Sequence, residues 1–458
     1  MKMRPTTNRS WPFSRLPHGI VTIAVVTGLV AGCASFQSGG EKTARQERTT
    51  VGAAYRPGDL KPALPVLTAR SAPEDYLRYA LLNSPTVEAA YYDWFATVEK
   101  ITAAGTPPDP RLTFQMDIQR VVTSLMPGLM VDLPGPGKLT AAAESATAES
   151  RVAYYAFERA VLQAALALKR AAYGLTLLDR QVELNRQMLA VLADLEAVAE
   201  ARNASGQATL QDVLRAQIEQ ERINSMIANL EDARAPLLAK FKAALGLAPD
   251  QPEPPVMAIP FPSTPLDLNG NQLLAEALAR NPELQGMAAE IRLAESGIKL
   301  ARLTAVPDFT AGLEADFKMN PLLLRPRADM TLPVWRDKIA ADIAAAQATR
   351  HAATARLTAG QIALAVEFAD LSYQVRESGR NLNLFQNTLL PKARQALEIA
   401  RDAYRSGGVD FQTVQENQRM VLEFGLAAAA AREQHDRALA ELSLIVLARP
   451  PPGAPLAK

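Results

Sequence analysis

Two kinds of hydrophobic pattern occur along the chain, and each kind occurs twice. Short stretches within 112–133 and 309–332 place apolar residues at every second position, which is typical of β-strands with one apolar face. A long stretch follows each of them and places apolar residues three and four positions apart, which is typical of coiled helices. The pattern therefore predicts two copies of one unit, a β-hairpin followed by long helices.

The landmarks of the two copies recur about 200 residues apart. The matched landmarks are Leu133-Pro134 with Leu332-Pro333, Asn83 with Asn281, Pro108-Asp109 with Pro307-Asp308, Lys138 with Lys338, and Ser205-Gly206 with Ser406-Gly407. Solenoid repeats have periods of roughly 20–50 residues, so this much longer period indicates two domain-sized copies. We assign the first copy to residues 73–248 and the second copy to residues 271–448.

Each long stretch predicts an outgoing helix, a break and a return helix. The predicted helices are 140–202 and 209–247 in the first copy, and 337–404 and 410–447 in the second. The breaks fall at Gly206 and Gly407. The predicted coiled-coil seam of the first outgoing helix is Leu168, Ala171, Leu175, Leu178, Val182, Leu189 and Leu192. Pro391 is expected to kink the second outgoing helix, because proline removes a backbone hydrogen bond.

The hairpins are predicted from four segments in which apolar and polar residues alternate. These segments are 112–118, 129–133, 309–317 and 327–332. The turns between them are predicted at 121–128 and 318–325. Strands of transmembrane barrels have the same pattern, with apolar residues toward lipid and polar residues toward a wet lumen. Known bacterial barrels start at about 8 strands, so four strands predict assembly of several chains.

The N-terminus has the features of an export signal. Basic residues precede the apolar run Ile20–Val30, which is too short to cross a bilayer as a helix, since about 20 residues are needed. The run ends in Leu29-Val30-Ala31-Gly32-Cys33, which resembles a bacterial lipobox. Residues 1–32 are therefore predicted to be a lipoprotein signal peptide. Cys33, the only cysteine, is predicted to be acylated, and Ala34 after it favours the outer membrane.

Three segments rich in proline, glycine or charge lie outside the two copies. Residues 33–72 have no hydrophobic period and are predicted to be a disordered tether after the lipidated cysteine. Residues 249–270 contain Pro252, Pro254 and Pro255 and are predicted to be the linker between the copies. Residues 449–458 are predicted to be a proline-rich tail.

Charge and candidate chemistry exclude two classes of function. The chain has 49 Lys and Arg against 48 Asp and Glu, so it lacks the basic excess typical of nucleic-acid binding. After the signal peptide, the histidines are His351 and His435, which we interpret as surface residues. The segment 135–140 resembles a phosphate loop only faintly, since Leu139 stands where Ser or Thr is required, and we interpret it as a turn. No catalytic, cofactor-binding or metal residue is predicted, and the chain is not expected to be an enzyme.

These features together resemble the TolC family of outer-membrane efflux channels. The resemblance covers roughly residues 73–448, and 133–139 is similar to the strand-to-helix junction of the heavy-metal efflux members. It implies a mainly α fold with a small β part, built from two tandem repeats of short helices, a β-hairpin and long antiparallel coiled helices. It also implies a homotrimer, in which a 12-stranded β-barrel stands on a 12-helix α-barrel, and no cofactor.

The resemblance implies a passive exit duct for a tripartite efflux pump. Its partners would be a periplasmic adaptor (membrane fusion) protein, an inner-membrane pump of the RND type and outer-membrane lipid, with no nucleic acid. The protein would sit in the outer membrane by its lipid anchor and extend into the periplasm. The sequence leaves open whether the cargo is metal cations, drugs or other small solutes. The alternative is a structural coiled-coil envelope lipoprotein without channel activity.

By the same resemblance, the periplasmic mouth would be closed by residues in the first turns of the return helices. The matching positions are Asp212 and Arg215 in the first copy, and Thr413 and Glu416 in the second. Asp212 and Arg215 are three positions apart and could pair along one helix. Three copies of Glu416 would form a ring of like charges. The other interpretation of these four positions is a solvated helix face.

Overall fold

The chain folds into long helices with one small β-sheet. The computed structural model describes residues 39–118, 122–258, 260–262, 270–317 and 322–456, so the predicted signal peptide and Cys33 lie outside the described residues. Its helices are α1 Gly39–Tyr55, α2 Pro73–Asn83, α3 Pro85–Gly105, α4 Lys138–Ala204, α5 Leu210–Asp232, α6 Arg234–Ala244, α7 Gly270–Arg280, α8 Pro282–Leu303, α9 Arg336–Leu384, α10 Leu390–Ser406 and α11 Phe411–Glu441. Its strands are β1 Arg111–Ile118, β2 Val122–Leu133, β3 Phe309–Asp316 and β4 Leu323–Met330. The prediction of a mainly α fold with a small β part is confirmed.

Helix α4 is the longest element, with 67 residues, and it spans about 100 Å. Its predicted seam is buried at four of its leucines, but Val182 and Leu189 are only half-buried, whereas Leu184 and Met188 are buried in their place. The buried side of α4 changes along the helix because its packing partners change, from α3 and α8 near its start to α5 and α11 further on. One 18-residue window of α4 is apolar enough to cross a membrane, yet 61% of that window is buried inside the protein.

Prolines divide two of the predicted long helices. The predicted return helix 209–247 is wrong as one element, because Ala233 separates α5 from α6 and Pro236 lies in the first turn of α6. The second outgoing helix has a π-helical turn at Phe385–Leu389, directly before Pro391. This is the irregularity expected at that proline. The second return helix likewise ends in a π-helical turn, Leu442–Val446.

The prediction that residues 33–72 form a disordered tether is wrong for Gly39–Tyr55, which is helix α1. Disorder was predicted because the segment lacks a clear hydrophobic period, but the helix is stabilised by contacts with α3 and α4, which the composition of the segment does not show. Arg45 pairs with Glu99 at 3.0 Å, and Arg151 pairs with Glu47 at 2.8 Å. Tyr55, at the end of the helix, is fully buried.

The four strands form one antiparallel sheet in the order β1-β2-β3-β4. The predicted turns were too long, because β2 already begins at Val122 and β4 at Leu323. Strict alternation is lost at these strand ends, where Leu125-Met126 and Leu323-Leu324 place two apolar residues in succession. Pro127 pairs with Phe114 on one side only, since the ladder with β3 starts at Gly128. Pro326 pairs with Leu313 and lies on β4, an edge strand of the protomer's sheet, where proline is tolerated.

The two repeats pack against each other through long helices. Helix α4 of the first repeat contacts α8 and α11 of the second, while α9 contacts α8 and α11 within its own repeat. Buried aromatic residues pack α1 against the first repeat. Tyr91 and Phe157 contact the Tyr55 ring of α1, and Trp94 stacks on Phe157. The two repeats and α1 therefore share one continuous body.

Candidate functional site: a two-faced sheet and a helical tip

One face of the sheet is apolar and exposed. The register aligns Leu112 with Leu129, Leu129 with Leu313, and Phe309 with Met330. Leu112 and Phe114 are 66% and 65% exposed. An exposed apolar face of this kind is unusual for a sheet surrounded by water, and it marks a surface for lipid or for another protein.

The other face carries charged and polar residues that pair across the strands. Arg111 contacts Asp132 at 2.7 Å, and the Thr310 hydroxyl donates to the same carboxylate at 2.9 Å. Arg327 bridges Glu314 at 3.2 Å, and Arg325 pairs with Asp316 at 2.8 Å. Both signs of charge occur on this face, so it has no large excess of either sign.

Two glycines let the polar side chains lie flat on this face. A Cβ atom at Gly128 would come within 2.7 Å of both the Glu314 Cγ and the Thr113 Oγ1. A Cβ atom at Gly312 would come within 2.9 Å of the Met130 Cγ. Neighbouring side chains therefore cross over these glycines and fill the space that a larger residue would take.

A clasp joins the repeats where the sheet meets the helices, and we define it by Gly135, Lys138 and Asp308. The Asp308 Oδ1 accepts from the Gly135 backbone N–H and from the Lys138 Nζ, each at 2.7 Å. These hydrogen bonds, first of all that from Lys138, lower the pKa of Asp308. A side chain at position 135 would come within 2.4 Å of the Pro307 carbonyl oxygen. The phosphate-loop-like segment is therefore a strand-to-helix turn.

The corresponding junction of the second repeat presents apolar side chains instead. Leu332, Val334 and Trp335 are strongly exposed, and Trp335 reaches 75%. Two short turns fix this segment, since the Val334 N–H donates to Leu332 and the Arg336 N–H donates to Val334. This segment is therefore an exposed apolar surface next to the sheet.

The C-terminal ends of the long helices α4 and α10 pack together and form the tip of the protomer. The helices end at Gly206 and Gly407, both in the left-handed conformation, with φ of 74° and 82°. The Arg202 guanidinium lies 4.4 Å from the centre of the Tyr404 ring and donates to the Tyr404 carbonyl oxygen. Burial, together with the nearby Asp212 carboxylate, raises the pKa of the Tyr404 hydroxyl. Arg202 and Tyr404 thus link the tips of the two repeats.

The four residues matched to the mouth lie in different surroundings. Asp212 and Arg215 are half-exposed on α5, and although their spacing would allow an ion pair, they form none with each other. Thr413 belongs to the cap of α11, since its N–H and hydroxyl donate to Asp410 at 2.9 and 2.6 Å. Glu416 is exposed and accepts only from Gln412, at 3.0 Å.

A buried ionic cluster near the tip escaped the sequence interpretation. The Glu219 carboxylate accepts from Arg222 at 2.5 Å and from Arg419 of the other repeat at 3.2 Å. Its side chain is only 6% exposed. The repeat gives no direct signal for this contact, because Glu219 is matched to Met420 at the offset that relates Gly206 to Gly407.

Within the described ranges, no group of three or more His, Cys, Asp and Glu residues could hold a metal ion. His351 is exposed, as predicted. His435 is not a free surface residue, because its Nδ1 lies 3.2 Å from the Val375 carbonyl oxygen and 3.4 Å from the Ser378 hydroxyl. Its place between α9 and α11 is that of a packing residue.

Comparison with solved structures finds close likenesses of fold. VceC, an outer membrane protein of Vibrio cholerae, is similar with a TM-score of 0.67 and 18% identity, over 82% of this chain and 95% of that chain. CusC, whose structures concern transmembrane channel formation, is similar with a TM-score of 0.70 and 15% identity, over 81% of this chain and 91% of that chain. The open MtrE outer membrane channel of Neisseria gonorrhoeae gives a TM-score of 0.67 and 14% identity, over 82% and 88%.

Comparison with curated protein sequences gives no match. The sequence model of the family described as Outer membrane efflux protein matches residues 76–247 and 273–446. These two segments correspond to the two repeats and together make up most of the chain. The resemblance to TolC-family channels is thereby confirmed, and the expected location in the outer membrane with it. The chain belongs to the outer membrane efflux protein family.

Proposed function

We propose that three copies of this chain form a passive exit duct across the outer membrane and the periplasm. The observation that carries the proposal is the four-stranded sheet, which is apolar on one face, ionic on the other and open at both edges. Unpaired backbone groups are costly in lipid, so strands that enter a membrane must close into a barrel. Three sheets of four strands give the twelve strands of such a barrel.

The helical edges of one protomer support the same assembly. Helix α5 exposes a row of apolar residues four positions apart, Leu210, Leu214 and Ile218, on its face away from α4. Helix α9, at the opposite edge, exposes Ile362 and Val366. Isolated apolar surface residues are ordinary, but rows on both edges of one body favour burial against further copies. The helices of three copies would then enclose the periplasmic tunnel.

We also propose that Cys33 carries the lipid anchor, and the position of α1 supports this. The first turn of α1 lies beside Thr147, since a Cβ at Gly40 would lie 2.9 Å from its Cγ2. Thr147 is nine residues into α4, about 14 Å along the helix from the sheet. The six steps from Cys33 to Gly39 reach at most about 20 Å. The chain is therefore long enough to bring Cys33 to the membrane surface.

The duct would conduct cargo that a pump delivers, without binding it tightly. Its partners would be a periplasmic adaptor and an inner-membrane pump of the RND type. The mixed charges on the polar face of the sheet suit small solutes or metal cations alike.

Glu416 is our candidate for the periplasmic gate among the four matched residues. It is the one that is fully exposed, and its single hydrogen bond to Gln412 leaves the carboxylate free to face other copies. Three such carboxylates around the axis would repel one another and attract cations. Thr413, by contrast, is held in the cap of α11 by Asp410.

Mass measurement in detergent and conductance in planar bilayers test the proposal. We expect a trimer that forms channels, with Glu416→Ala changing conductance and weakening block by multivalent cations. Glu423→Ala is the matched control, because Glu423 is exposed on the same face two turns further from the tip. A stable monomer without conductance would favour the structural lipoprotein instead. Unchanged conductance and block in Glu416→Ala would remove Glu416 from the gate.

A further inference from the structure

The charged residues of the clasp have counterparts in the repeat that lie at the two open edges of the sheet and do not pair within the protomer. Lys138 follows β2 and binds Asp308, which precedes β3, at 2.7 Å. The repeat relates Lys138 to Lys338, which follows β4, and relates Asp308 to Asp109, which precedes β1. Because β1 and β4 are the two edges of the sheet, Asp109 and Lys338 lie at opposite edges of one protomer.

Both counterparts are available for a contact. Asp109 and Lys338 are exposed, and neither forms an ion pair within the part of the chain that the structure describes. Lys138, in contrast, has only 22% of its side chain exposed once it is engaged in the clasp. The same imbalance occurs in the helices. Helix α4 is packed between α3 of its own repeat and α8 of the other, whereas α9 packs on α8 of its own repeat and has no helix in the place that α8 takes beside α4. The first turns of α9 are accordingly almost fully exposed.

We infer that Lys338 of each protomer pairs with Asp109 of the next, and that this ion pair repeats the Lys138–Asp308 contact around the ring. The inference rests on the proposed trimer and assigns a contact to its seam. If β4 pairs with the neighbouring β1 as β2 pairs with β3, the residues that flank those strands come together in the same way. The ring then alternates clasps within protomers and clasps between protomers.

The second clasp differs from the first in one respect. Gly135 donates its N–H to Asp308 and approaches the Pro307 carbonyl so closely that no side chain fits. The corresponding positions, Val334 and Trp335, carry large side chains. The Val334 N–H also already donates to the Leu332 carbonyl oxygen, so the contact between protomers would be the ion pair without the backbone hydrogen bond. The seam between protomers is the looser of the two, and it depends more on the charges.

Charge reversal tests the pair. Lys338→Glu and Asp109→Lys should each lower the temperature at which the detergent-solubilised trimer dissociates, by about 2–4 °C. The double variant Lys338→Glu with Asp109→Lys should recover most of this loss, because it restores opposite charges at the seam. Lys392→Glu is the control for charge alone, since Lys392 is exposed on α10 and has no ion pair among the described residues. Additive losses in the double variant would overturn the inference.

Cross-linking gives a second measurement that does not depend on stability. A chain with both Lys338→Cys and Asp109→Cys should form chain-to-chain products with a short bis-maleimide, and neither single variant should. Native mass measurement of the same samples separates the two proposals. Trimers without such cross-links would exclude this contact and leave the duct in place, whereas absence of trimers would exclude the duct itself.

Discussion

At the scale of single residues, the two tryptophans beyond the predicted signal peptide have opposite surroundings. Trp94 is 1% exposed within the aromatic cluster, and Trp335 is 75% exposed after β4. The apolar face of β3 and β4 leads directly into Leu332 and Val334 beside Trp335. A tryptophan in this position, followed by charged Arg336, is suited to the interface between acyl chains and headgroups.

We therefore predict that lipid reaches Trp335 in the assembled protein. Reconstitution with lipids brominated near the carbonyl end of the acyl chain should quench part of the tryptophan fluorescence. Lipids brominated near the chain terminus should quench it less, because the ring lies at the interface. Trp335→Phe should abolish the quenched component and leave the emission of buried Trp94. Unquenched emission from the trimer would mean that a neighbouring protomer covers Trp335.

At the scale of elements, the return helices are held together by charges as well as by apolar packing. Burial alone would raise the pKa of Glu219, but hydrogen bonds from Arg222 and Arg419 outweigh it, and the pKa lies below its ordinary value of 4.5. A carboxyl group whose pKa is lower in the folded state stabilises the fold above its unfolded pKa. That stability is lost as the pH falls through the folded value.

Glu219→Gln should accordingly destabilise the protein at pH 7 and matter less in acid. We expect the free energy of unfolding to fall by about 1–3 kcal/mol at pH 7, since the variant loses two charged hydrogen bonds from a buried site. The difference from the native chain should shrink below about pH 4. Thermal unfolding followed by circular dichroism at both pH values measures this. Glu221→Gln, at an exposed position of the same helix, should show no comparable difference at either pH.

The strands show why an element can be recognised and still be given wrong bounds. Alternation identified all four strands, but the turns at 121–128 and 318–325 were predicted too long, because β2 begins at Val122 and β4 at Leu323, and each of these strands also accommodates a proline. Whether a proline interrupts a strand depends on which side of it is paired. That is a property of the sheet, and β2 has a free side at Pro127 only because its ladder with β3 starts one residue later.

At the scale of the whole molecule, α1 connects the predicted lipid to the body through a specific packed surface. Arg56 illustrates how firmly this segment is held, since its side chain is 1% exposed, pairs with Glu88 at 3.2 Å and lies over the Tyr55 ring. The N-terminal segment is thus part of the body rather than a loose tether. In the proposed assembly, the lipid would fix the orientation of a body that the proposed barrel holds in the membrane.

Cys33→Ser should therefore abolish labelling of the protein by a fatty-acid analogue and leave its membrane association intact. We expect the membrane association to persist because acyl chains alone anchor weakly, while a closed barrel does not leave the bilayer. Labelling of gel-separated protein and fractionation of outer membranes measure the two effects. Label on the Cys33→Ser protein would exclude acylation at this residue. Release of the variant into the soluble fraction would contradict insertion of the sheet.

The sequence by itself determined the duplication, the element types and the family. These properties are local or periodic: the spacing of apolar residues fixes strand or helix, and glycines such as Gly206 and Gly407 occur where a helix must turn back. The recurrence of landmarks about 200 residues apart then identified two copies of one unit. The exposed apolar face of the sheet was also predictable, since alternation alone assigns Leu112 and Phe114 to one side.

Only the tertiary structure decided which distant residues meet. The clasp of Lys138 with Asp308, the Glu219–Arg419 pair and the docking of α1 each join positions more than 50 residues apart. Spacing along the chain carries no information on such contacts, because they depend on how the repeats pack. Helical spacing likewise only permits a contact, since Asp212 and Arg215 are three positions apart on α5 and form no ion pair with each other.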